Sequence, residues 1–320
     1  MASETRAGIL DTLFAPIPRA RFLEAYWTRR AVALTGRGEP LDSVASLPAL
    51  ELALRGRAGL SARTYACLAT RCPERLGIQP DQVDDLLRAG ARIELDRLED
   101  IEEGARRAVH SIVRELRLTV TPTFRLVLFP ADHWTGLASR AAETFSFVLR
   151  GELETRYTVA PDVRAAVRDR HSASFEETML ADGDTRTGEA LLGEGEGVYL
   201  PSGCWSSRGT LEGAVVLEID IPQSSVLQSI SSHLGQRLDH ELGFRTLPSI
   251  DAPSASPEEF FASRLQEVDA ATAQLRPEDL FNRWAAELHR VSQSLSSMGV
   301  APSRPEESNR AAASPPGREA

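Results

Sequence analysis

The stretch that most constrains the fold covers residues 193–206 and has the sequence GEGEGVYLPSGCWS. A turn of glycine and glutamate opens it, and residues 198–200 then form an apolar run that predicts a short buried strand. Pro201 and Gly203 end this strand, because proline lacks a backbone donor and glycine favours a turn. A strand this short needs neighbours, so it predicts a sheet built from many short strands.

The surrounding sequence, from residue 119 to residue 221, predicts such a sheet. Short runs of β-branched and aromatic residues alternate there with glycine and proline clusters, and residues 161–172 are interpreted as an insertion or a loop helix. The predicted strands cover residues 119–129, 143–150, 153–159, 177–181, 187–192, 197–200 and 213–220. Several short strands without helices between them favour an antiparallel barrel or jelly roll.

Helical patterns flank this β-rich region on both sides. Before it, helices are predicted at residues 18–28, 47–55, 80–87 and 98–118, with short strands at 31–34, 63–70 and 91–95. After it, three amphipathic helices are predicted, the first at 225–242 and the others beginning near Pro257 and Pro277. The chain is therefore expected to be α+β, with a first domain at 1–222, a helical domain at 223–299 and a disordered tail at 300–320.

Composition excludes several classes of function. The net charge of −10 argues against a broad nucleic-acid surface, and no apolar run is long enough to span a membrane. All 36 basic residues are arginine, so chemistry that depends on lysine is excluded. The three cysteines match neither a zinc site nor a disulfide framework, and no signal peptide is evident, so a cytoplasmic location is expected.

Residues 193–206 resemble the JmjC/cupin-like oxygenases of the ribosomal-oxygenase branch, where the motif is roughly G-D-x-L-Y-x-P-x-G-W-x-H and the last histidine binds iron. The aromatic helix at 18–28, the strand that begins GAR at Gly90 and the long helix at 98–118 also match this family. The resemblance implies a double-stranded β-helix (jelly-roll/cupin) barrel with N-terminal helices and a C-terminal helical dimerisation module.

The resemblance also locates the family's metal ligands, two histidines and one carboxylate. They correspond to Ala138, Arg140 and Ser206, so no metal and no cofactor is expected. Arg140 stays charged at any useful pH and would repel a divalent ion. It could instead pair with a carboxylate such as Glu143 or an acidic group of a ligand, or it could be a solvated loop residue if the alignment slips.

A relocated metal site is the alternative. None of the six histidines begins an H-x-D or H-x-E motif, but His133 lies in a predicted loop with Asp132. Together with Glu143 and His171, these residues could form an unorthodox site. The chain would then be an active Fe(II)/2-oxoglutarate-dependent peptide or protein hydroxylase.

The favoured function is a non-catalytic, metal-free peptide-binding protein. By resemblance to the hydroxylase-like peptide-binding proteins of the crocagin pathway, it would guide or protect a precursor peptide for partner enzymes that make a peptide natural product. Trp134, Arg140, Trp205 and Arg208 are the candidate peptide contacts at the predicted barrel mouth. They suit an acidic and apolar peptide, while the net charge leaves a basic one equally open. A further possibility is a structural subunit that only dimerises with an active homologue.

Overall fold

The computed structural model describes residues 8–36, 41, 44, 64–67, 76–162, 170–172, 186–222 and 257–297, with six residues between 230 and 238. The helices are α1 (Ile9–Phe14), α2 (Arg19–Ala25), α3 (Val83–Arg88), α4 (Glu103–Leu116), α5 (Pro257–Ala273) and α6 (Pro277–Ser297), with one-turn 3-10 helices at Pro80–Gln82 and Leu98–Asp100. The strands are β1 (Val32–Leu34), β2 (Thr64–Cys67), β3 (Leu76–Gly77), β4 (Arg92–Asp96), β5 (Thr123–Phe129), β6 (His133–Trp134), β7 (Leu137–Ser139), β8 (Ala142–Gly151), β9 (Leu153–Thr158), β10 (Arg170–Ser172), β11 (Thr187–Leu192), β12 (Gly197–Leu200), β13 (Trp205–Thr210) and β14 (Ala214–Pro222).

These strands form two antiparallel sheets. The larger sheet has the order β1-β12-β8-β14-β5-β4-β2-β3. The smaller sheet has the order β10-β7-β13-β9-β11, with β6 also paired to β13. The mixed architecture with antiparallel sheets agrees with the predicted α+β class, while closure of the two sheets into a jelly-roll barrel stays a prediction.

One face of the larger sheet packs against the N-terminal helices. Alternate residues of its central strands, among them Phe124, Phe145, Tyr199 and Ile219, share a core cluster with α1, α2 and α4. The helices contribute Leu10, Leu13, Phe14, Phe22, Ala105, Ala108, Val109, Ile112 and Val113 to that core. Successive side chains of a strand point to opposite faces, so the intervening residues point toward the smaller sheet.

The space between the two sheets divides into an apolar half and a charged half. Strand β14 shows the change along one face, since Ala214 and Val216 are followed by Glu218 and Asp220. The apolar half is filled by residues of both sheets: Val127, Phe129, Val148, Leu153, Tyr157, Leu192, Val198, Leu200, Ala214 and Val216. The functional site is therefore sought at the charged end of this space.

The last two helices are only lightly covered. Among the residues whose burial is described, α5 has no buried side chain and α6 has one, Leu295. Leu295 packs into the same core cluster as Leu10 and Leu13 of α1. The end of α6 thus contributes to the helical layer over the larger sheet.

The sequence missed five short strands, of which β3 has only two residues. Strands β3, β6, β7 and β13 lie in segments without a strand prediction, and β10 lies in the segment interpreted as an insertion or a loop helix. Strand β13 has the sequence WSSRGT, whose serines and glycine are weak strand formers, and pairing with β9 and β7 imposes its conformation. The predictions at 47–55, 177–181 and 300–320, and most of 225–242, lie outside the described residues.

Candidate functional site

The structure brings together the three residues that the resemblance placed at the metal site. Ser206 on β13 lies directly opposite Ala138 on β7, and Arg140 follows two residues later. Paired residues project to the same face of a sheet, and here that face points toward the larger sheet. All three residues are partly exposed. The resemblance therefore aligned these positions consistently with the strand register.

Arg140 is held by two carboxylates of its own chain. Its guanidinium donates to both carboxylate oxygens of Asp220 at 2.9 Å and lies 2.8 Å from Glu218 Oε2. Thr144 also donates its hydroxyl to Asp220, at 2.8 Å. The expectation that Arg140 pairs with a carboxylate is therefore confirmed, but its partners are Asp220 and Glu218 and not Glu143, and it is not a solvated loop residue. The reason is that β14 places Asp220 and Glu218 on the face toward which Arg140 points.

Glu218 is the centre of a larger ionic cluster. Its carboxylate also binds Arg208 and Arg125, the latter at 3.2 Å. Burial would raise the pKa of Glu218, but the nearby guanidinium groups hold that pKa well below its usual range. The arginine–carboxylate cluster consists of six residues linked by ion pairs, Asp96, Arg125, Arg140, Arg208, Glu218 and Asp220, together with the Arg92–Glu94 pair, which lies within electrostatic range of Arg140.

This cluster holds four arginines and four carboxylates, so its formal charges cancel. Each carboxylate already accepts from an arginine of the same chain. A divalent ion at this position would have to displace those pairs and approach the Arg140 guanidinium. The methyl group of Ala138 offers no lone pair and the hydroxyl of Ser206 is a poor substitute for imidazole, so the residues present do not fit the iron site of the resembled family.

The four predicted peptide contacts do not form one surface. Arg208 pairs in register with Thr155 and faces the space between the sheets, where it is buried against Glu218. Trp205 and Trp134 lie on the other face of the smaller sheet. Their expected clustering with Arg140 at one mouth is therefore wrong, and the cause is the alternation of strand β13, which the sequence analysis had not recognised as a strand.

Both tryptophans are engaged by the chain itself. Trp205 is buried, and its backbone N–H donates to the Thr158 hydroxyl at 3.0 Å. Trp134 packs on the backbone of Gly209, where an added Cβ would lie 2.2 Å from the indole. The Arg156 guanidinium lies over the same ring, 5.2 Å from its centroid, which is a cation–π geometry. Peptide binding by these residues stays a prediction.

The residues proposed for a relocated metal site do not gather in the part of the chain that the structure describes. His133 is buried in β6, with its ring centroid 5.9 Å from that of Phe129. Glu143 points into the helical layer and is bound by Tyr199. No group of three histidine, cysteine, aspartate or glutamate side chains within the described residues could hold a metal. The backbone of His171 pairs with Ala138 across β10 and β7.

Sequence reasoning missed a second buried carboxylate site, at Glu143. Its carboxylate accepts from the Tyr199 hydroxyl and from the Ser202 backbone N–H at 3.2 Å. The Tyr199 oxygen in turn accepts from the Thr28 N–H at 2.8 Å. Burial raises the pKa of Glu143 to about 7 and also raises that of Tyr199. The alternation of β8 could have revealed this site, since Glu143 shares a face with Phe145 and Phe147.

Cys204 lies beside this site and is a packed thiol. Burial raises the pKa of Cys204 to about 12, because the thiolate would be poorly solvated there. A thiol with that pKa is almost entirely protonated at neutral pH and is a weak nucleophile.

Comparison with known proteins gives a fold and no established activity. No family model matches the chain. The uncharacterised protein YxbC of Bacillus subtilis is 21% identical over 306 residues, which are 87% of this chain and 92% of YxbC. No described helix is long and apolar enough to cross a membrane.

Solved structures of YcfD from Escherichia coli share the architecture. One matches with a TM-score of 0.52 and 17% identity, over 84% of this chain and 70% of YcfD. Another, YcfD described as a ribosomal oxygenase in complex with cobalt and 2-oxoglutarate, matches with a TM-score of 0.51 and 15% identity, over 85% and 71%. In fold, this chain is similar to the JmjC-like ribosomal oxygenase YcfD.

Proposed function

We propose that this chain is a non-catalytic, metal-free peptide-binding protein built on the oxygenase fold. The observation that carries the proposal is the state of Arg140. It occupies a position that the resemblance assigns to a metal ligand, and it is neutralised there by Asp220 and Glu218. A positively charged side chain thus stands where the resembled family has a negatively charged ligand of the metal.

The physical argument is one of charge and donor type. Iron(II) in such a site requires imidazole and carboxylate ligands with open coordination positions. Ala138 and Ser206 supply neither, and breaking the pairs between Arg140 and its carboxylates would leave a guanidinium next to the metal. An active hydroxylase would need His133 or His171 as relocated ligands, and His133 is buried against Phe129.

The peptide part of the proposal rests on the kind of protein that shares this fold. The structural neighbours are described as ribosomal oxygenases, which suggests a protein or peptide target. The narrower form is a precursor peptide of a ribosomally made natural product, held for partner enzymes. Arg140 and Arg208 are already paired, so they no longer give a reason to prefer an acidic peptide.

Metal binding is the direct test. Elemental analysis of the purified protein, followed by titration with Fe(II) under anaerobic conditions, should show well below about 0.1 metal per chain. The triple variant Ala138→His, Arg140→Asp, Ser206→His should bind Fe(II) at least about tenfold more tightly than the wild type. About one tightly bound metal per wild-type chain, lost on His133→Ala, would establish the relocated-ligand alternative instead.

We also propose that the C-terminal helices form a homodimer. Leu265 on α5 and Phe281 on α6 are more than half exposed, and Trp284 contacts Phe281 with ring centroids 5.7 Å apart. Exposed apolar side chains on two long helices fit an interface with a second copy. Sedimentation should show a dimer that Phe281→Asp converts to a monomer, whereas Glu278→Ala in the first turn of α6 should leave it intact. A wild-type monomer at all concentrations would exclude the proposal.

A further inference from the structure

The two sheets end in strands of very different length. The larger sheet ends in β1 and β3, with three and two residues, and the smaller sheet ends at one side in β10, with three. At its other side the smaller sheet ends in β11, which has six residues. Very short terminal strands are one of the ways proteins block the addition of another strand. Strand β11 lacks that protection.

The hydrogen-bonding direction along β11 follows from its neighbours. The Thr135 N–H donates to the Arg208 carbonyl at 2.7 Å, so the backbone of residue 208 points away from β9. Arg208 is paired with Thr155, so the backbone of Thr155 points away from β13 and toward β11. Thr155 is in turn paired with Ala190, and alternation along β11 therefore directs the backbones of residues 188, 190 and 192 toward β9. The Val159 N–H donates to the Arg186 carbonyl at 2.8 Å. Residue 186 lies two positions before residue 188, so this hydrogen bond agrees with the assignment.

The backbone groups of Thr187, Glu189 and Leu191 therefore point to the free edge. Within the described part of the chain, no other strand pairs with that edge. The side chains of these residues are exposed, with Leu191 at 64% and the Glu189 side chain at 70% of full exposure. The strand also contains no proline and no positive charge. It therefore has neither the proline nor the lysine that often protects an exposed edge, and Glu189 is its one charged residue.

We propose that the free edge of β11 accepts an extended peptide as an additional strand of the smaller sheet. Backbone hydrogen bonds to residues 187, 189 and 191 would supply the affinity, and alternate side chains of the peptide the selectivity. This deepens the proposed function, because it locates the peptide on a strand edge and not at the former metal position.

The exposed face beside this edge selects the kind of peptide. Arg156 lies 3.1 Å from Glu154 and 3.5 Å from Glu189, so one guanidinium serves two carboxylates and the group keeps a net charge of −1. An apolar peptide residue next to Leu191 and a basic one next to Glu189 would complement this face. The edge therefore fits a neutral to basic peptide of alternating pattern.

A second copy of the chain fits the same edge less well. Two β11 strands that pair antiparallel and overlap all three outward-facing positions would place Glu189 directly opposite Glu189 of the other copy. Like charges directly opposite in a sheet are destabilising. The charge of the edge therefore favours a foreign peptide over self-pairing.

The test uses one defined probe, an acetylated and amidated eight-residue peptide with threonine at the odd positions and valine alternating with arginine at the even positions, so that valine and arginine share one face. Its affinity for the full-length protein is measured by fluorescence anisotropy with a dye-labelled copy. Glu189→Pro removes one outward N–H without removing a hydrogen bond to β9, and it should weaken binding by about tenfold or more. Glu189→Ala is the matched control, which removes the charge and keeps the N–H, and it should weaken binding by only about twofold to threefold.

Hydrogen exchange should report the location independently of any mutation. On binding, the amides of residues 187, 189 and 191 should become protected. If circular dichroism shows that Glu189→Pro does not fold, the wild-type protein is tested with a second probe. In this probe the backbone amides on the edge that would pair with β11 are N-methylated. That probe should bind at least about tenfold more weakly than the unmodified peptide.

Each result decides between the possibilities. Equal losses for Glu189→Pro and Glu189→Ala, or no protection at residues 187–191, would overturn the edge site. A dimer that dissociates on Glu189→Pro would also overturn it, because a second copy would then be the occupant. Stoichiometric iron would contradict the metal-free proposal and leave the edge result unchanged, so the two failures can be told apart.

Discussion

Glu218 and Glu143 are both almost fully buried in the larger sheet, at 2% and 1% exposure, yet their electrostatic surroundings are opposite. Glu218 contacts the guanidinium groups of Arg125, Arg140 and Arg208. Glu143 has no ion pair with any described residue and accepts hydrogen bonds from a hydroxyl and a backbone N–H. One carboxylate is neutralised by cations, and the other is neutralised for part of the pH range by a proton.

The difference follows from the side of the sheet to which each residue points. Glu218 faces the space between the sheets, where β5, β13 and the end of β7 bring arginines. Glu143 faces the aromatic core between the larger sheet and the helical layer, which includes Trp27 and Phe145. Strand alternation thus places one glutamate among cations and the other in an apolar core. Mutations at the two residues should therefore change the pH dependence of the free energy of unfolding in different ways.

The largest effect is expected from Glu218→Gln. The change leaves three arginines near one another with only Asp220 and Asp96 as their remaining ion-pair partners in the cluster, so the free energy of unfolding should fall by about 3–5 kcal/mol. Urea unfolding at pH 6, 7 and 8 should show the same loss, because the pKa of Glu218 lies far below this range. Arg88→Ala, which breaks a highly exposed pair with Asp85, is the control and should change little. A loss below about 1 kcal/mol would mean that the cluster is not a stabilising unit.

Glu143→Gln should instead remove a pH dependence. The pKa of Glu143 rises from 4.5 to about 7 on folding, so between these values the folded chain keeps a proton that the unfolded chain has released. The stability from this residue is therefore full below pH 4.5, falls as pH rises and is lost above pH 7, by about 3 kcal/mol in all. Subtracting the urea-unfolding curve of the variant from that of the wild type should show this slope, and a flat difference would contradict it.

The coupling between Arg140 and Asp220 should be smaller, because Arg140 is 28% exposed. A double-mutant cycle with Arg140→Ala and Asp220→Ala should give a coupling energy of about 1–2 kcal/mol. Repeating the cycle in 1 M salt should reduce it only slightly if the pair is shielded from solvent. A coupling of zero would show that Arg140 is held mainly by Glu218.

The smallest expected effect is that of Tyr199→Phe. It removes the hydroxyl that donates to Glu143 and accepts from the Thr28 N–H, so unfolding should become easier by about 1 kcal/mol. The lost hydrogen bond had lowered the pKa of Glu143, so the pH window of the Glu143 effect should move upward. Phe145→Leu, a change in the same cluster without a polar group, should leave that window in place.

The sequence supplied the trio of Ala138, Arg140 and Ser206, because a motif and a two-residue spacing place those positions. It did not supply the partners of Arg140, because Asp220 and Glu218 reach it across strands β8 and β14 and only long-range register shows this. The prediction that Trp205 and Arg208 lie on one surface was wrong for a local reason. Residues 205–210 carry no strand signal, yet as a strand they send positions 205 and 208 to opposite faces.

The burial of Leu295 in the helical layer affects the order in which the chain can fold. The described contacts of α6 are with α4, so the loop that they close spans more than half of the sequence. Contacts of such separation form late, because the chain entropy of closure precedes any gain from packing. During synthesis the helical layer stays incomplete until α6 has left the ribosome, and the apolar surface that Leu295 covers stays exposed until then. A ribosome-bound chain that ends before residue 277 should therefore bind chaperones that the finished protein does not.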